Sequence, residues 1–352
     1  MKALTPYRDP DAVRALADEL AAATRGSWRI MEVCGGQTHA FVRFGIDRLL
    51  PEGVELLHGP GCPVCVTPAG VLDQAVALAV DHGVILCTFG DMLRVPGSST
   101  DLQRARAEGA DVRVVYSPLD AVTLARQQPD REVVFFGVGF ETTAPVVAFA
   151  LLAARDVPNF SVLAAHVLVP PALQAVHAQV DGFLAAGHVC TIVGTAPYEA
   201  LAEELGVPIV VAGFEPVDLL RGLLACVRQL EAGEARAENA YPRAVRREGN
   251  PHAWSAVEQV FEVVDQPWRG MGELPASGLR IRDPQRDAAR RFGLDELQGR
   301  DDPDCMAGLV LQGLAKPTAC PAFGTRCTPD HPLGATMVSS EGACAAYWTH
   351  RR

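Results

Sequence analysis

Eight short apolar runs rich in β-forming residues punctuate the first 212 residues: Trp28–Val33, Val54–Leu57, Val84–Phe89, Val112–Tyr116, Val133–Val138, Ser161–Val167, Val189–Val193 and Pro208–Ala212. Between many of them lie Ala/Leu-rich helical stretches, such as Gly70–Asp81, Asp120–Gln127, Pro145–Ala154, Pro171–Ala186 and Tyr198–Leu205. A strand that is apolar along its whole length is buried on both faces, and its alternation with helices indicates parallel sheets covered on each side. The pattern predicts an α/β chain with two parallel-sheet, Rossmann-like α/β/α domains. A polar interruption at Arg126-Gln127-Gln128-Pro129-Asp130-Arg131 places their division, giving domains at 1–130 and 131–230. Residues 231–352 form a third region, richer in charge, with one amphipathic helix at Ala253–Val264 and a Pro/Gly stretch, Pro267–Gly278, that reads as loop. Its last 50 residues hold four cysteines but little periodicity, which predicts a mostly helical or irregular segment organised by a metal centre.

Charge excludes several roles. The 352 residues carry 31 basic and 42 acidic side chains, a net charge of −11. Nucleic acids and anionic membranes both demand concentrated positive charge, so neither is expected as a partner. No apolar run approaches the roughly 20 residues that span a bilayer. The N-terminal stretch resembles neither a signal nor a transit peptide, so the expected compartment is the cytoplasm. In that reducing setting 10 cysteines point to metal ligation, redox chemistry or buried packing rather than to stable disulfides.

Ligands of parallel α/β sheets bind outside the carboxyl ends of the strands, and the loops there are unusual. After the first strand comes Glu32-Val33-Cys34-Gly35-Gly36-Gln37-Thr38-His39. A following helix would aim its amides at Cys34, and with His39 one turn away the thiol pKa is expected to fall. A buried structural cysteine is the alternative. The second loop, His58-Gly59-Pro60-Gly61-Cys62-Pro63-Val64-Cys65, places a C-x-x-C between strand and helix. That spacing suits a dithiol/disulfide couple better than half of a zinc site, for which no second pair exists. The third loop offers Asp91 and Arg94, which could hold a ligand or simply pair with each other. In the fourth, Gly139-Phe140-Glu141-Thr142-Thr143-Ala144-Pro145, Glu141 sits at a helix start, as a functional carboxylate or part of an ordinary cap. Gly213-Phe214-Glu215 echoes it faintly. Neither glycine cluster completes G-x-G-x-x-G, which weighs against dinucleotide binding.

Near the C-terminus Cys305, Cys320, Cys327 and Cys344 are spaced C-x14-C-x6-C-x16-C. Structural zinc usually takes closely paired cysteines, so wide spacing with intervening Pro and Gly favours wrapping an iron–sulfur cluster over zinc. Cys87, Cys190 and Cys226 lie in apolar segments and read as packing residues.

Taken in order, these motifs resemble the HypD family of hydrogenase maturation proteins. The likeness rests on Cys34 to His39, Gly59 to Cys65, Gly90-Asp91-Met92 to Gly97-Ser98, Gly139 to Pro145, Gly213 to Pro216, and the four-cysteine pattern ending Ser339-Ser340-Glu341-Gly342-Ala343-Cys344. It spans essentially residues 24–347 without departure at any of the seven motif cysteines. The resemblance implies a metallocentre-assembly protein with redox activity rather than a conventional turnover enzyme. It would be a scaffold on which the iron of NiFe-hydrogenase gains one CO and two cyanides, as Fe(CN)2CO, before passing to the hydrogenase large subunit. Cys34 would ligate that iron together with a HypC-type chaperone, with His39 beside it. Cys62 and Cys65 would be a redox dithiol, and Cys305, Cys320, Cys327 and Cys344 would hold a 4Fe–4S cluster. A HypE-type protein would donate cyanide. Asp91 and Glu141 complete the candidate site. The competing reading is a stand-alone thiol–disulfide reductase dependent on an Fe–S cluster, which leaves the Cys34 loop without a task.

Overall fold

A computed structural model describes residues 2–351. Its 11 strands are β1 (Trp28–Glu32), β2 (Val54–His58), β3 (Ile85–Thr88), β4 (Val112–Val114), β5 (Val133–Gly139), β6 (Phe160–Val167), β7 (Gly182–Ala186), β8 (Ile209–Ala212), β9 (Ala237–Asn239), β10 (Phe261–Trp268) and β11 (Gly272–Ile281). They build two sheets among the described residues. One runs β2-β1-β7-β8-β9 and is wholly parallel. The other runs β10-β11-β6-β5-β3-β4, with β6, β5, β3 and β4 parallel and the β10–β11 hairpin antiparallel at one edge.

Every residue of β3, β5, β7 and β8 is buried, as the uninterrupted apolar runs require. Successive side chains enter opposite cores. On the first sheet Met31, Phe183 and Val211 face one apolar cluster while Ile30, Leu184 and Val210 face another. On the second, Phe135 and Phe136 point to opposite sides. Both sheets are therefore sandwiched between helices, the α/β architecture expected.

The division at residue 130 does not follow the sheets. Strands β3 and β4, before it, share a sheet with β5 and β6, after it, while β1 and β2 pair through β7 with a segment more than 120 residues later. The chain leaves the first sheet after β2, builds β3 to β6, returns for β7 to β9, then leaves again for the hairpin. The polar Arg126–Arg131 segment is only the end of the surface helix Pro118–Gln127 and a turn into β5.

Three local expectations also change. Val189–Val193 is not a strand but lies in the helix Gly187–Val193, and the strand is Gly182–Ala186, assigned above to a helix. Short apolar runs of either kind look alike by periodicity, and the central place between β1 and β8 selects the one whose Gly182 tolerates close packing against Cys226. The amphipathic helix ends at Val260 instead of Val264. The supposed loop Pro267–Gly278 is mostly hairpin, turning through Gly270 (φ 75°) and Gly272 (φ 78°). Pro267 is accommodated because β10 is an edge strand, where a missing N–H costs no ladder bond.

The region after residue 287 consists of short helices, including Ala307–Leu311 and Ala343–His350, packed across the carboxyl ends of both sheets. No helix among the described residues is long and apolar enough to cross a membrane.

Candidate functional site

The carboxyl ends of the strands converge on one core in which Cys34, Cys62, Cys65, Phe140, Cys190, Tyr198 and Trp268 pack together. Cys34 is the N-cap of the helix Gly35–Arg43 and is buried. The Cys34 and Cys62 loops interlock: Gly35 N–H donates to the Gly61 carbonyl at 2.7 Å, and any side chain at Gly61 would strike the Cys34 backbone. Sγ of Cys34 lies 3.5 Å from Nδ1 of His188, whose ring packs on Phe214 at 5.4 Å.

This geometry corrects two expectations. His39 is not the neighbour of Cys34. Its Nδ1 contacts the Ser340 carbonyl at 3.1 Å and its ring meets His350 edge-on. Nor is the thiol pKa lowered. Burial first, then the nearby carboxylates Glu32 and Glu341, push Cys34 well above an ordinary thiol, outweighing the helix amides at Gly36 and Gln37. Burial also lowers the His188 pKa to about 4, which keeps the imidazole neutral and its lone pair available to a soft metal.

Beneath Cys34 lies a polar chain absent from the sequence reading. The buried Glu32 carboxylate accepts from Cys34 N–H (3.0 Å) and from the Thr38 hydroxyl, and bonds His58 Nδ1 (2.7 Å). His58 Nε2 in turn meets the Tyr347 hydroxyl at 3.1 Å, on the helix that carries Cys344. Desolvation raises the Glu32 pKa, opposed by the His58 hydrogen bond.

Cys62 and Cys65 form a disulfide and are both buried. Their short helix, Pro63–Val66, packs against Ala335–Met337, which lines the cavity of the C-terminal cysteines. That cavity brings together Cys305, Cys320, Cys327 and Cys344 with Met306, Phe323, Leu333 and Met337. Leu333 N–H donates to Cys327 Sγ at 3.4 Å and the Thr336 hydroxyl to Cys344 Sγ at 3.2 Å. Burial, joined by repulsion among the sulfurs, raises Cys305 and Cys327 and pushes Cys344 up to about 12. Gly334 is required there, since a β-carbon would collide with Cys305 Sγ. Among the described residues no three His, Cys, Asp or Glu side chains are gathered closely enough to chelate a single ion. Four soft sulfurs around one apolar cavity, fed by backbone and hydroxyl donors, fit a larger iron–sulfur group.

Asp91 is exposed; burial first, and then the Asp91 charge, raise the pKa of Glu341. Arg94 donates instead to the Pro329 and Val338 carbonyls, bracing the segment between Cys327 and Cys344. Glu215 is bound by Arg8. Cys87, Cys190 and Cys226 are buried in β3 and in two helices.

Glu141 is buried. Oε1 accepts from Val169 N–H at 2.9 Å, and Oε2 has no partner. Burial raises its pKa from 4.5 to about 7. A carboxyl raised on folding contributes stability that is complete below about pH 4.5 and is lost as pH rises through 7. Glu141→Gln is therefore expected to match the parent at pH 4 and to exceed it by about 3 kcal/mol at pH 8. Urea unfolding at the two pH values checks this, and a pH-independent difference would show that the carboxyl ionises freely in the fold.

Comparison with known proteins covers nearly the whole chain. The family model HypD, described as "Hydrogenase formation hypA family", matches residues 11–351. The chain is 47% identical to the "Hydrogenase maturation factor HypD2" of Bradyrhizobium diazoefficiens, with all of this chain and 97% of that protein aligned. It is 48% identical to the "Hydrogenase maturation factor HypD" of Rhodobacter capsulatus (99% and 98% aligned) and 47% identical to that of Escherichia coli K12 (100% and 99%).

Proposed function

The chain belongs to the HypD family of hydrogenase formation proteins, and on that premise we propose that it is the scaffold on which the Fe(CN)2CO unit of NiFe-hydrogenase is assembled. The observation that carries the proposal is the serial arrangement of its thiols: Cys34 beside His188, the Cys62–Cys65 disulfide on the interlocked loop, and the four-cysteine cavity against the disulfide helix.

Each part has a task its chemistry suits. The iron cargo is held by Cys34, with His188 replacing His39 as the nearby imidazole, and a HypC-type chaperone supplies a further thiolate. Cys34 is buried beneath the loops and lies where the strand ends open, so cargo exchange requires a partner to displace or complete its surroundings. Soft thiolates suit low-spin iron carrying strong-field ligands. Cys305, Cys320, Cys327 and Cys344 hold a 4Fe–4S cluster, which when bound supplies single electrons at a fixed potential. The Cys62/Cys65 couple stores two electrons and two protons: reduction breaks the S–S bond and leaves two thiols. A HypE-type donor delivers cyanide, the hydrogenase large subunit receives the finished group, and the cytoplasm is the compartment that suits these thiols.

Infrared spectroscopy of the protein isolated anaerobically with its small partner tests the reading. Bands of iron-bound CO and CN are expected. A complex that contains non-cluster iron but lacks those bands would overturn it.

A further inference from the structure

The segment that follows β9 carries a side chain wedged behind the Cys34 pocket. Tyr241 is half-buried, and its backbone is pinned at the sheet edge. Its N–H donates to Oδ1 of Asn239 at 2.9 Å, and Ala240 N–H donates to the Val211 carbonyl at 2.9 Å. The ring fills the space between two glycines. A β-carbon at Gly187 would lie 2.8 Å from its Cδ1, and one at Gly213 would lie 2.6 Å from its Cε2, on the opposite edge. Gly187 directly precedes His188, and Gly213 directly precedes Phe214.

Rings carry the contact forward from there. Tyr241 meets Phe214 edge-on at 6.3 Å, and Phe214 packs on the His188 ring at 5.4 Å. Phe214 also covers Gly36, where a β-carbon would sit 3.3 Å from the Phe214 Cδ1 and 3.7 Å from Cys34 Sγ. His188 Nδ1 reaches that sulfur at 3.5 Å. Arg243 holds Tyr241 in place. Its guanidinium lies 4.3 Å from the Tyr241 ring centre and 3.8 Å from that of Tyr7, and it donates to both carboxylate oxygens of the buried Asp218. Moving the Tyr241 ring would give up the aromatic contact and the cation contact together.

We propose that Tyr241 is a positioning residue of the cargo site: clamped by Arg243, its ring fixes Gly187 and Gly213 and so sets the His188 imidazole and the Phe214 ring against Cys34. The role rests on the reading of Cys34 as the cargo ligand. Tyr241 and Arg243 act through His188 and Phe214 rather than on the sulfur itself. Loss of the ring opens a void behind the two glycines, lets His188 and Phe214 retreat into it, and uncovers a cysteine that is only 1% exposed.

Alkylation by iodoacetamide of the full-length protein without cargo iron, followed residue by residue with peptide mass spectrometry, tests the assignment. Cys87 and Cys226, buried in β3 and in the helix Pro216–Ala232, serve as internal references. Tyr241→Leu keeps an apolar side chain but loses the ring. It is expected to speed Cys34 alkylation relative to both references by about tenfold, the equivalent in population of one aromatic contact. Arg243→Gln is expected to do so by about threefold, as for a partly exposed cation over a ring, and Tyr241→Phe to keep the parent rate. With the small partner bound, Tyr241→Leu is also expected to hold cargo iron about 10-fold more weakly, as loss of a residue supporting a ligand does. An unchanged Cys34 rate overturns the proposal, and so does a rise shared in proportion by Cys87 and Cys226, which is the mark of a mere brace. Cargo iron held as tightly as in the parent overturns it too. Arg243→Gln decides the matter if Tyr241→Leu does not fold. A parent complex that carries no cargo iron refutes the reading of Cys34 instead, and the alkylation rates then decide the clamp alone.

Discussion

Replacing Cys34 by alanine is expected to abolish cargo iron while leaving the remaining thiol chemistry intact. The substitution removes one sulfur from a buried position whose side chain makes no capping hydrogen bond to its helix. Glu32 still receives the residue-34 N–H, and Gly35 still bonds the Gly61 carbonyl, because both contacts are made by backbone. The fold should therefore survive, with a stability loss of about 1 kcal/mol, typical of a small buried truncation. The Cys62–Cys65 couple and the C-terminal cysteines keep their surroundings. Loss of a residue that merely supports a metal ligand costs about 10- to 100-fold, so loss of the ligand itself should cost more than about 100-fold. Complementation of a strain lacking its own copy, together with the count of iron beyond the cluster, reads the effect. A variant that retains both maturation and cargo iron would show that Cys34 is not the ligand of the cargo.

How far the sequence foretold this arrangement depends on the kind of signal involved. Apolar runs announced the parallel sheets because a strand buried on both faces must be apolar at every position, as in Val133–Val138. Which sheet each strand joins is decided by packing between segments more than 100 residues apart, such as β1 on β7. No local pattern records that choice, and a polar stretch at the end of a surface helix looked like a boundary. The hairpin was hidden for a related reason. Pro267, Gly270, Gly272 and Gly278 are turn formers, yet only Gly270 stays in the turn, while Pro267 lies in the edge strand β10 and Gly272 and Gly278 lie in β11 beside it.

Within the site, the loops that carry Cys34, Cys62 and Cys65 could be located because they directly follow strands that were correctly placed, β1 and β2. His188 escaped because its strand was misread: with β7 shifted to Val189–Val193, Gly187-His188 no longer followed a strand. His39 took its place by sequence proximity, yet one helical turn carries it toward Ser340 and His350. Glu32 stood in plain view beside Cys34, but nothing in its neighbours reveals that His58, 26 residues on, and Tyr347, 289 residues beyond His58, complete a chain with it.

That chain yields the largest stability effect. Glu32→Ala removes the acceptor shared by Cys34 N–H, the Thr38 hydroxyl and His58 Nδ1, all of them buried. An alanine side chain cannot accept a bond, so Cys34 N–H and His58 Nδ1 lose their partner and the Thr38 hydroxyl keeps only the Cys34 carbonyl at 3.3 Å. Breaking a buried ionisable pair by deleting one member costs about 3–5 kcal/mol, a large share of the roughly 5–15 kcal/mol that keeps a domain folded. Glu32→Gln retains the shape and one carbonyl acceptor, so it is expected to lose about half as much, in line with a charged hydrogen bond becoming neutral. Urea unfolding should show the alanine midpoint well below that of glutamine, with the slope unchanged if the unfolded chain is unaffected. The damage also reaches the site. With Glu32 gone, the Cys34 amide is released and His58 no longer ties it to Tyr347 on the Cys344 helix, so cargo iron should be lost in the folded fraction of the alanine variant. An alanine variant within about 1 kcal/mol of the parent, the worth of a single ordinary hydrogen bond, would mean that water or a shifted side chain satisfies these groups and that the chain does not anchor the Cys34 loop.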